Sequence, residues 1–374
     1  MWFTDPENLD QIVDRLDVSI DAYESAINEV LELFPLSWAK AQEPRSREYA
    51  GWIGIHPPFF RWLDFHPIAR FMMQKPFNAI PTLTPIVRLG MDLIRTKRIP
   101  RIQALRQELL SLDQYAGRLF ELEILSRFVT EGLSPSIIGT PDFCVPIDGQ
   151  KLFLEARHRG APFWMNTSFG IYLPMQKDWP PIRVQLNYVS GVKDESFLLR
   201  AAIEKDLEEL DPNDLLLNGA IVRAKYTISH EPSAPAGIAM IVGYGPDKPW
   251  SSEVETLIFQ TLVEKAPQLK SASADGSPCA IVIDCRSIIP PDTLETSGPW
   301  YERRNAIKAG ILRAGDRFLT ENKWISGVIW WWKTAIDPWK ADQIVKQQWP
   351  VTISTGSLHL EGPELGALCR KLFN

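Results

Sequence analysis

Apolar residues at Leu9, Val13, Leu16, Ile20, Tyr23, Ile27, Val30 and Phe34 recur with alternating spacings of four and three, which predicts one amphipathic helix opening at Thr4-Asp5 before Pro6. Such a seam, flanked by Asp10, Asp14, Asp17, Asp21 and Glu24, suits either one helix of an intramolecular bundle or a homodimer contact. Between residues 35 and 100, prolines punctuate aromatic stretches such as His56-Pro57-Pro58-Phe59-Phe60-Arg61-Trp62, the pattern of short helices joined by turns. Residues 1–105 accordingly read as a helical N-terminal region.

Beyond residue 105 helix and strand patterns alternate. A long helix is expected at 113–131, a hairpin at 141–157, a helix at 252–267 feeding the apolar strand Cys279-Ala280-Ile281-Val282-Ile283-Asp284, a helix at 303–320, and a strand within Trp324–Trp332. This predicts an α/β domain over 106–374 with a mixed central sheet flanked by helices. An inserted α/β segment at about 160–250 reads as strand 181–189, helix 196–210 and strands near 219–229 and 236–243.

Composition narrows the function classes. The chain has 374 residues, 45% hydrophobic and 23% charged, enough for a large core and too balanced for disorder. The opening residues have neither a basic nor an apolar leader segment, and no apolar run approaches a membrane span, so a cytoplasmic protein without membrane contact is expected. Cys144, Cys279, Cys285 and Cys369 form no CxxC pair, which argues against structural zinc and a disulfide framework. No GxSxG, Walker or GxGxxG turn occurs. The net charge of −6 hides an asymmetry: residues 1–32 hold nine acids and one base, while Arg88, Arg95, Lys97, Arg98, Arg101 and Arg106 stand against Asp92 alone. That basic strip suits either phosphate-backbone contacts or a solvated helix face.

The candidate chemistry lies in the hairpin. Asp148-Gly149 is a favoured two-residue turn, and with Ile147 opposite Gln150 it sets Asp142 opposite Glu155, on the face that also carries Cys144, Phe153 and Arg157. Facing carboxylates repel unless a cation lies between them. A four-residue turn would instead set Asp142 opposite Arg157 in a salt bridge. In the preceding helix, Phe120, Leu122, Ile124, Leu125, Phe128 and Val129 form one apolar arc with Glu121 in its middle, while Glu123, Ser126, Arg127 and Thr130 form the opposite, polar face. A carboxylate on the apolar arc needs a partner, either Arg118 three residues back or a metal.

Glu121, Pro141-Asp142 and Glu155-Ala156-Arg157, on helix, strand and strand, resemble the PD-(D/E)xK nuclease superfamily, whose members share the restriction-endonuclease-like fold. The resemblance covers roughly residues 113–160 by motif and 252–332 by element order. It implies a divalent-metal-dependent nuclease hydrolysing phosphodiester bonds, with DNA as partner. Asp142 and Glu155 would then be ligands of Mg²⁺ or Mn²⁺, Glu121 a further acidic ligand, and Arg157 would stand at the water-orienting position. Lys265 and Gln268 resemble an additional position near the scissile phosphate. Arg95, Lys97, Arg98 and Arg101 are the candidate backbone contacts. The departure is Arg157, where the family has lysine: arginine stays protonated and cannot serve as a base. The competing expectation is a nuclease-fold protein without cleavage, acting as a nucleic-acid-binding or assembly module.

His158 follows Arg157 but belongs to the other face of the strand. In Trp330-Trp331-Trp332, alternating rings are expected to pack on the two faces of the sheet with one ring exposed; stacking on bases is the other option. Asp284 and Asp316 carry no spacing that assigns them a role.

Overall fold

The computed structural model describes residues 13–41 apart from 15 and 17, then 66–73, 79–147, 149–159, 171–174, 179–187, 196–232, 236–242, 250–286, 288, 299–332 and 351–355. The chain divides into two compact units, one comprising 1–39, 67–159 and 250–374 and the other 40–66 and 160–249. Among the described residues no helix is long and apolar enough to cross a membrane.

The first unit has mixed α/β architecture. Its helices are α1 (Ile20–Leu33), α2 (Pro67–Met73), α3 (Ala79–Thr96), α4 (Ile102–Glu108) and α5 (Leu112–Thr130), followed by strands β1 (Ser136–Ile137), β2 (Phe143–Ile147) and β3 (Gln150–His158). In the second unit lie β4 (Ile171–Pro174), β5 (Ile182–Leu186), α6 (Ser196–Glu208), α7 (Pro212–Asn218), β6 (Ala220–Val222), β7 (Tyr226–His230) and β8 (Ile238–Val242). The chain then returns to the first unit with α8 (Trp250–Lys265), α9 (Lys270–Ala274), β9 (Cys279–Asp284), α10 (Pro299–Glu321), β10 (Gly327–Trp331) and β11 (Val351–Thr355).

Six strands of the first unit form one mixed sheet in the order β1-β2-β3-β9-β10-β11. The β2–β3 hairpin is antiparallel, β9 lies parallel to β3 and to β10, and β11 closes the far edge antiparallel. β9 and β10 are buried along their whole length, which is why Cys279–Asp284 reads as a continuous apolar run rather than an alternation. All three tryptophans of Trp330–Trp332 are buried, contrary to the expectation of one exposed ring. Both faces of the sheet are covered: Phe120 of α5 meets Trp331 edge-on at 5.7 Å, and Lys308 of α10 lies 5.8 Å over the Trp332 ring. None of these rings is free to stack on a base.

The N-terminal helix differs from its sequence pattern. Ser19 is extended and its hydroxyl accepts from the Ala22 N–H at 3.2 Å, so α1 starts at Ile20 and the heptad run is not one helix. Thr4, Asp5 and Leu9 lie outside the described residues. Leu16, Tyr23, Ile27, Val30 and Phe34 are buried within the chain, while the seam residue Ile20 is 41% exposed. α1 packs on α3, at Gly90, whose missing side chain leaves room for the Ala26 backbone. Of the two expectations for this seam, the described residues show the intramolecular packing. α3 also runs through Pro85 as one helix where short helices were expected.

The second unit is a five-stranded sheet in the order β4-β8-β5-β7-β6. Along β5, Ile182, Val184 and Leu186 are buried and Arg183 and Gln185 half-exposed, the alternation of a sheet with one covered face. Leu199, Ile203 and Leu207 of α6 are buried as well.

Candidate functional site

The hairpin adopts the register set by the two-residue turn. Gly149 has a φ of 83°, and Ile147 pairs with Gln150, Val145 with Leu152 and Phe143 with Leu154. Continued one step past the last paired residues, this register sets Asp142, which precedes β2, opposite Glu155. The alternative register, with Asp142 opposite Arg157, does not form.

Asp142 sits just before β2, and its Oδ2 accepts from the Ala156 N–H at 2.9 Å. Glu155 is 1% exposed and its carboxyl is hydrogen-bonded to that of Asp142. Burial, then the charge of Asp142, pushes Glu155 up to about 7, against the opposing pull of Lys265. Asp142 is also raised above the usual aspartate value by burial, opposed by the Ala156 N–H and Lys265. Lys265 is the last residue of α8. Its Nζ donates to Glu155 Oε1 at 2.5 Å and to Gln268 Oε1 at 3.0 Å, Gln268 lying in the 3₁₀ turn Ala266–Leu269. Lys265 and Gln268, 110 and more residues away in sequence, thus join the acidic pair.

Glu121 reaches the same neighbourhood from α5. Burial and then Asp142 raise it to about 7, while Arg118 acts in the other direction. Arg118 Nη1 donates to both Glu121 oxygens at 2.7 Å, and its Nε is paired with Glu108 of α4. Of the two partners weighed for Glu121, the described residues place Arg118 on it, and the carboxylate also lies within the field of Asp142. Arg157 shares the face of Glu155, and its buried Nε has no hydrogen-bond acceptor among the described residues. Among the described residues no group of three or more histidine, cysteine or acidic side chains is arranged to hold a metal ion. The donor set is nevertheless one of carboxylate oxygens, the ligand type of a hard divalent cation, with Asp142 raised by burial and Glu155 by burial and then by the charge of Asp142.

His158 points to the opposite face, as strand alternation requires. Its Nδ1 lies 2.9 Å from Asp284 Oδ2, and Asp284 also accepts from Arg286 Nε at 2.8 Å and Nη2 at 2.9 Å. Arg286 pairs in turn with Glu123 at 2.6 Å. Arg286 and His158 hold Asp284 far below the usual aspartate range against its burial. Sequence reasoning assigned Asp284 nothing and put Glu123 on a polar face. In fact the second face of α5 is partly covered: Ser126 Oγ donates to Asp92 at 2.5 Å, and Ser126 is 2% exposed, while Thr130 is exposed. The one signal for this network was an aspartate ending an otherwise apolar strand.

The basic strip is partly internal. Lys97 Nζ pairs with Glu29 at 3.1 Å and Arg106, almost fully buried, pairs with the same carboxylate, pinning α1 to its neighbours. Arg95 lies 3.5 Å from Asp92, and Arg98 is exposed. Arg101, at a φ of 66°, donates to the Ile138 carbonyl at 3.5 Å, and the Ile138 N–H donates to the Asp142 carbonyl. Of the strip, Lys97 and Arg106 thus share the one carboxylate of Glu29, Arg106 buried and Lys97 half-exposed. No family model, no curated protein and no solved structure matches the chain.

Proposed function

We propose that the chain is a divalent-metal-dependent nuclease of restriction-endonuclease-like fold, hydrolysing phosphodiester bonds, with DNA as its substrate. The observation that carries this reading is the Asp142–Glu155 pair, two carboxyls facing across one ladder, both held above their ordinary range, with the Lys265 ammonium seated on one of them. The resemblance implies a core of mixed sheet flanked by helices, and in support of it the first unit has a mixed sheet, with Glu121 on α5, Asp142 just before β2 and Glu155 on β3.

Asp142 and Glu155 are the residues to hold Mg²⁺ or Mn²⁺, with Glu121 completing the acidic set. Bound there, the cation would polarise the phosphate and lower the pKa of a coordinated water. Lys265 supplies a compact positive side chain at Glu155, a charge that reaches the pair from α8 rather than from the strand of Arg157. Held by Gln268, its ammonium is placed to steady negative charge growing on the phosphate oxygens. Arg157, fixed in charge, contributes electrostatic attraction from the same face. Water adds to phosphorus, the P–O bond to the leaving oxygen breaks, and that oxygen takes up a proton, leaving a phosphate monoester and an alcohol.

The competing reading, a binding or assembly module without cleavage, is favoured by one observation: Arg118 and Lys265 already compensate Glu121 and Glu155. The deciding experiment incubates wild type and the Asp142→Ala/Glu155→Ala double variant with supercoiled, linear and single-stranded DNA and with RNA, in Mn²⁺, Mg²⁺ or EDTA. Strand breaks that disappear in EDTA and in the variant support the nuclease. Folded wild type that cuts nothing in any condition favours the module.

A further inference from the structure

Four carboxylates are gathered at the site, Glu108, Glu121, Asp142 and Glu155, and two cations, Arg118 and Lys265, are ion-paired with three of them. The two cations play different parts. Lys265 is 17% exposed, comes from a distant helix and is also held by Gln268, so its position is over-determined. Arg118 is 32% exposed, lies one helical turn from Glu121 and grips it with one nitrogen on both oxygens, while its Nε faces a partly exposed Glu108. Guanidinium bonds phosphate oxygens as readily as carboxylate oxygens. Glu121 is mostly buried beside Asp142, so once Arg118 leaves it the carboxylate has like charge for a neighbour and requires another cation.

Building on the nuclease reading, we propose that Arg118 is a latch on Glu121: in the free protein it withholds that carboxylate from the metal, and a phosphodiester oxygen of the substrate draws Arg118 away, so that Glu121 joins Asp142 and Glu155 only when nucleic acid is bound. Metal and nucleic acid then bind with positive coupling, and by linkage each strengthens the other by the same factor. The arrangement restrains the acidic pair from holding the cation tightly in the absence of substrate.

Removing a positive charge near a metal site strengthens metal binding whatever its role, so the test is a double-variant cycle on Mn²⁺ affinity, measured by calorimetry at pH 8 on wild type, Arg118→Gln, Glu121→Gln and the double variant, each checked for folding by circular dichroism. The latch predicts that Glu121→Gln weakens Mn²⁺ binding less than threefold in the wild-type background and tenfold or more in the Arg118→Gln background. With a phosphorothioate DNA duplex or a phosphorothioate RNA strand present, the tenfold penalty is expected in the wild-type background as well. Equal penalties in the two backgrounds would overturn the latch and leave the nuclease reading standing. A penalty that neither nucleic acid brings out in the wild-type background would overturn phosphate as the releasing group, and the latch with it. Absence of Mn²⁺ binding in all four proteins would overturn the nuclease reading itself.

Discussion

Lys265 Nζ lies 2.5 Å from Glu155 Oε1, across 110 residues of sequence and from a helix rather than from the strand that carries the carboxylate. A lysine nitrogen thus reaches the acidic pair from α8, while the strand position two residues after Glu155 holds an arginine. Lys265→Met is expected to lower the metal-dependent cleavage rate by roughly 10²–10³, the usual consequence of losing one preorganised charge in a closed site. Glu155 also loses a group that counteracts its burial, so the acid limb of the pH–rate profile should move to higher pH. Cleavage at the wild-type rate with an unmoved profile would remove Lys265 from the machinery.

Stability should fall as the pH rises through the range where Glu121 ionises. Its ordinary value is 4.5 and burial beside Asp142 carries it to about 7 in the folded chain. Between those values the folded form binds more protons than the unfolded form, so the free energy of unfolding decreases with rising pH and stays lower above it. Glu121→Gln removes this slope. The variant is expected to gain on the order of 1–3 kcal/mol over wild type at pH 8 and little near pH 5. Urea unfolding at the two pH values measures it, and a difference independent of pH would show that Glu121 does not titrate in this window.

Much of the site was legible because local chemistry set it. The Asp148-Gly149 turn fixed the hairpin register and with it the meeting of Asp142 and Glu155, and Glu121 stood out as a carboxylate amid apolar neighbours. The mixed α/β architecture followed from the alternation of helix and strand patterns after residue 105. What was not legible depends on partners far away in sequence. Glu123 and Ser126 read as a solvent-facing stripe because polarity marks exposure only when no buried partner exists, and theirs are Arg286 and Asp92. Lys97 and Arg106 read as free cations for the same reason, Glu29 being the partner. Lys265 was reached only through resemblance, since no spacing rule links the end of α8 to β3. The N-terminal seam misled at Ser19, where one capping hydroxyl outweighs the continuing heptad pattern.

Asp284 should be among the least replaceable polar residues of the first unit. It is 2% exposed and receives Arg286 and His158 at once, and Arg286 is itself buried between Asp284 and Glu123. Asp284→Ala strands the guanidinium with one carboxylate and frees His158. A loss of about 3–5 kcal/mol is expected, the cost of breaking a buried pair by removing one member. Because the folded carboxyl titrates far below its ordinary 3.8, the stabilisation is complete at neutral pH and is lost only in strong acid. Chemical denaturation at pH 7 measures the difference, and a loss under 1 kcal/mol would mean that the network is solvated in solution.

Gly90 and Gly117 provide a matched pair of helical glycines with opposite expectations. A Cβ on Gly90 would run into the backbone of Ala26, carbonyl oxygen first, so α1 and α3 would have to separate along the contact that buries Tyr23, Ile27 and Val30. Backbone cannot swing aside as a side chain does, and overpacking of this kind costs typically about 1–3 kcal/mol. A Cβ on Gly117 in α5 meets nothing within 4 Å. There alanine only removes backbone freedom from the unfolded chain, for a gain of roughly 0.5–1 kcal/mol. At about 2–4 °C per kcal/mol for units of this size, Gly90→Ala should lower the melting temperature by several degrees and Gly117→Ala should raise it slightly. Equal shifts in the two variants would mean that α1 does not dock on α3 at Gly90, and that the burial of the N-terminal seam must be sought elsewhere.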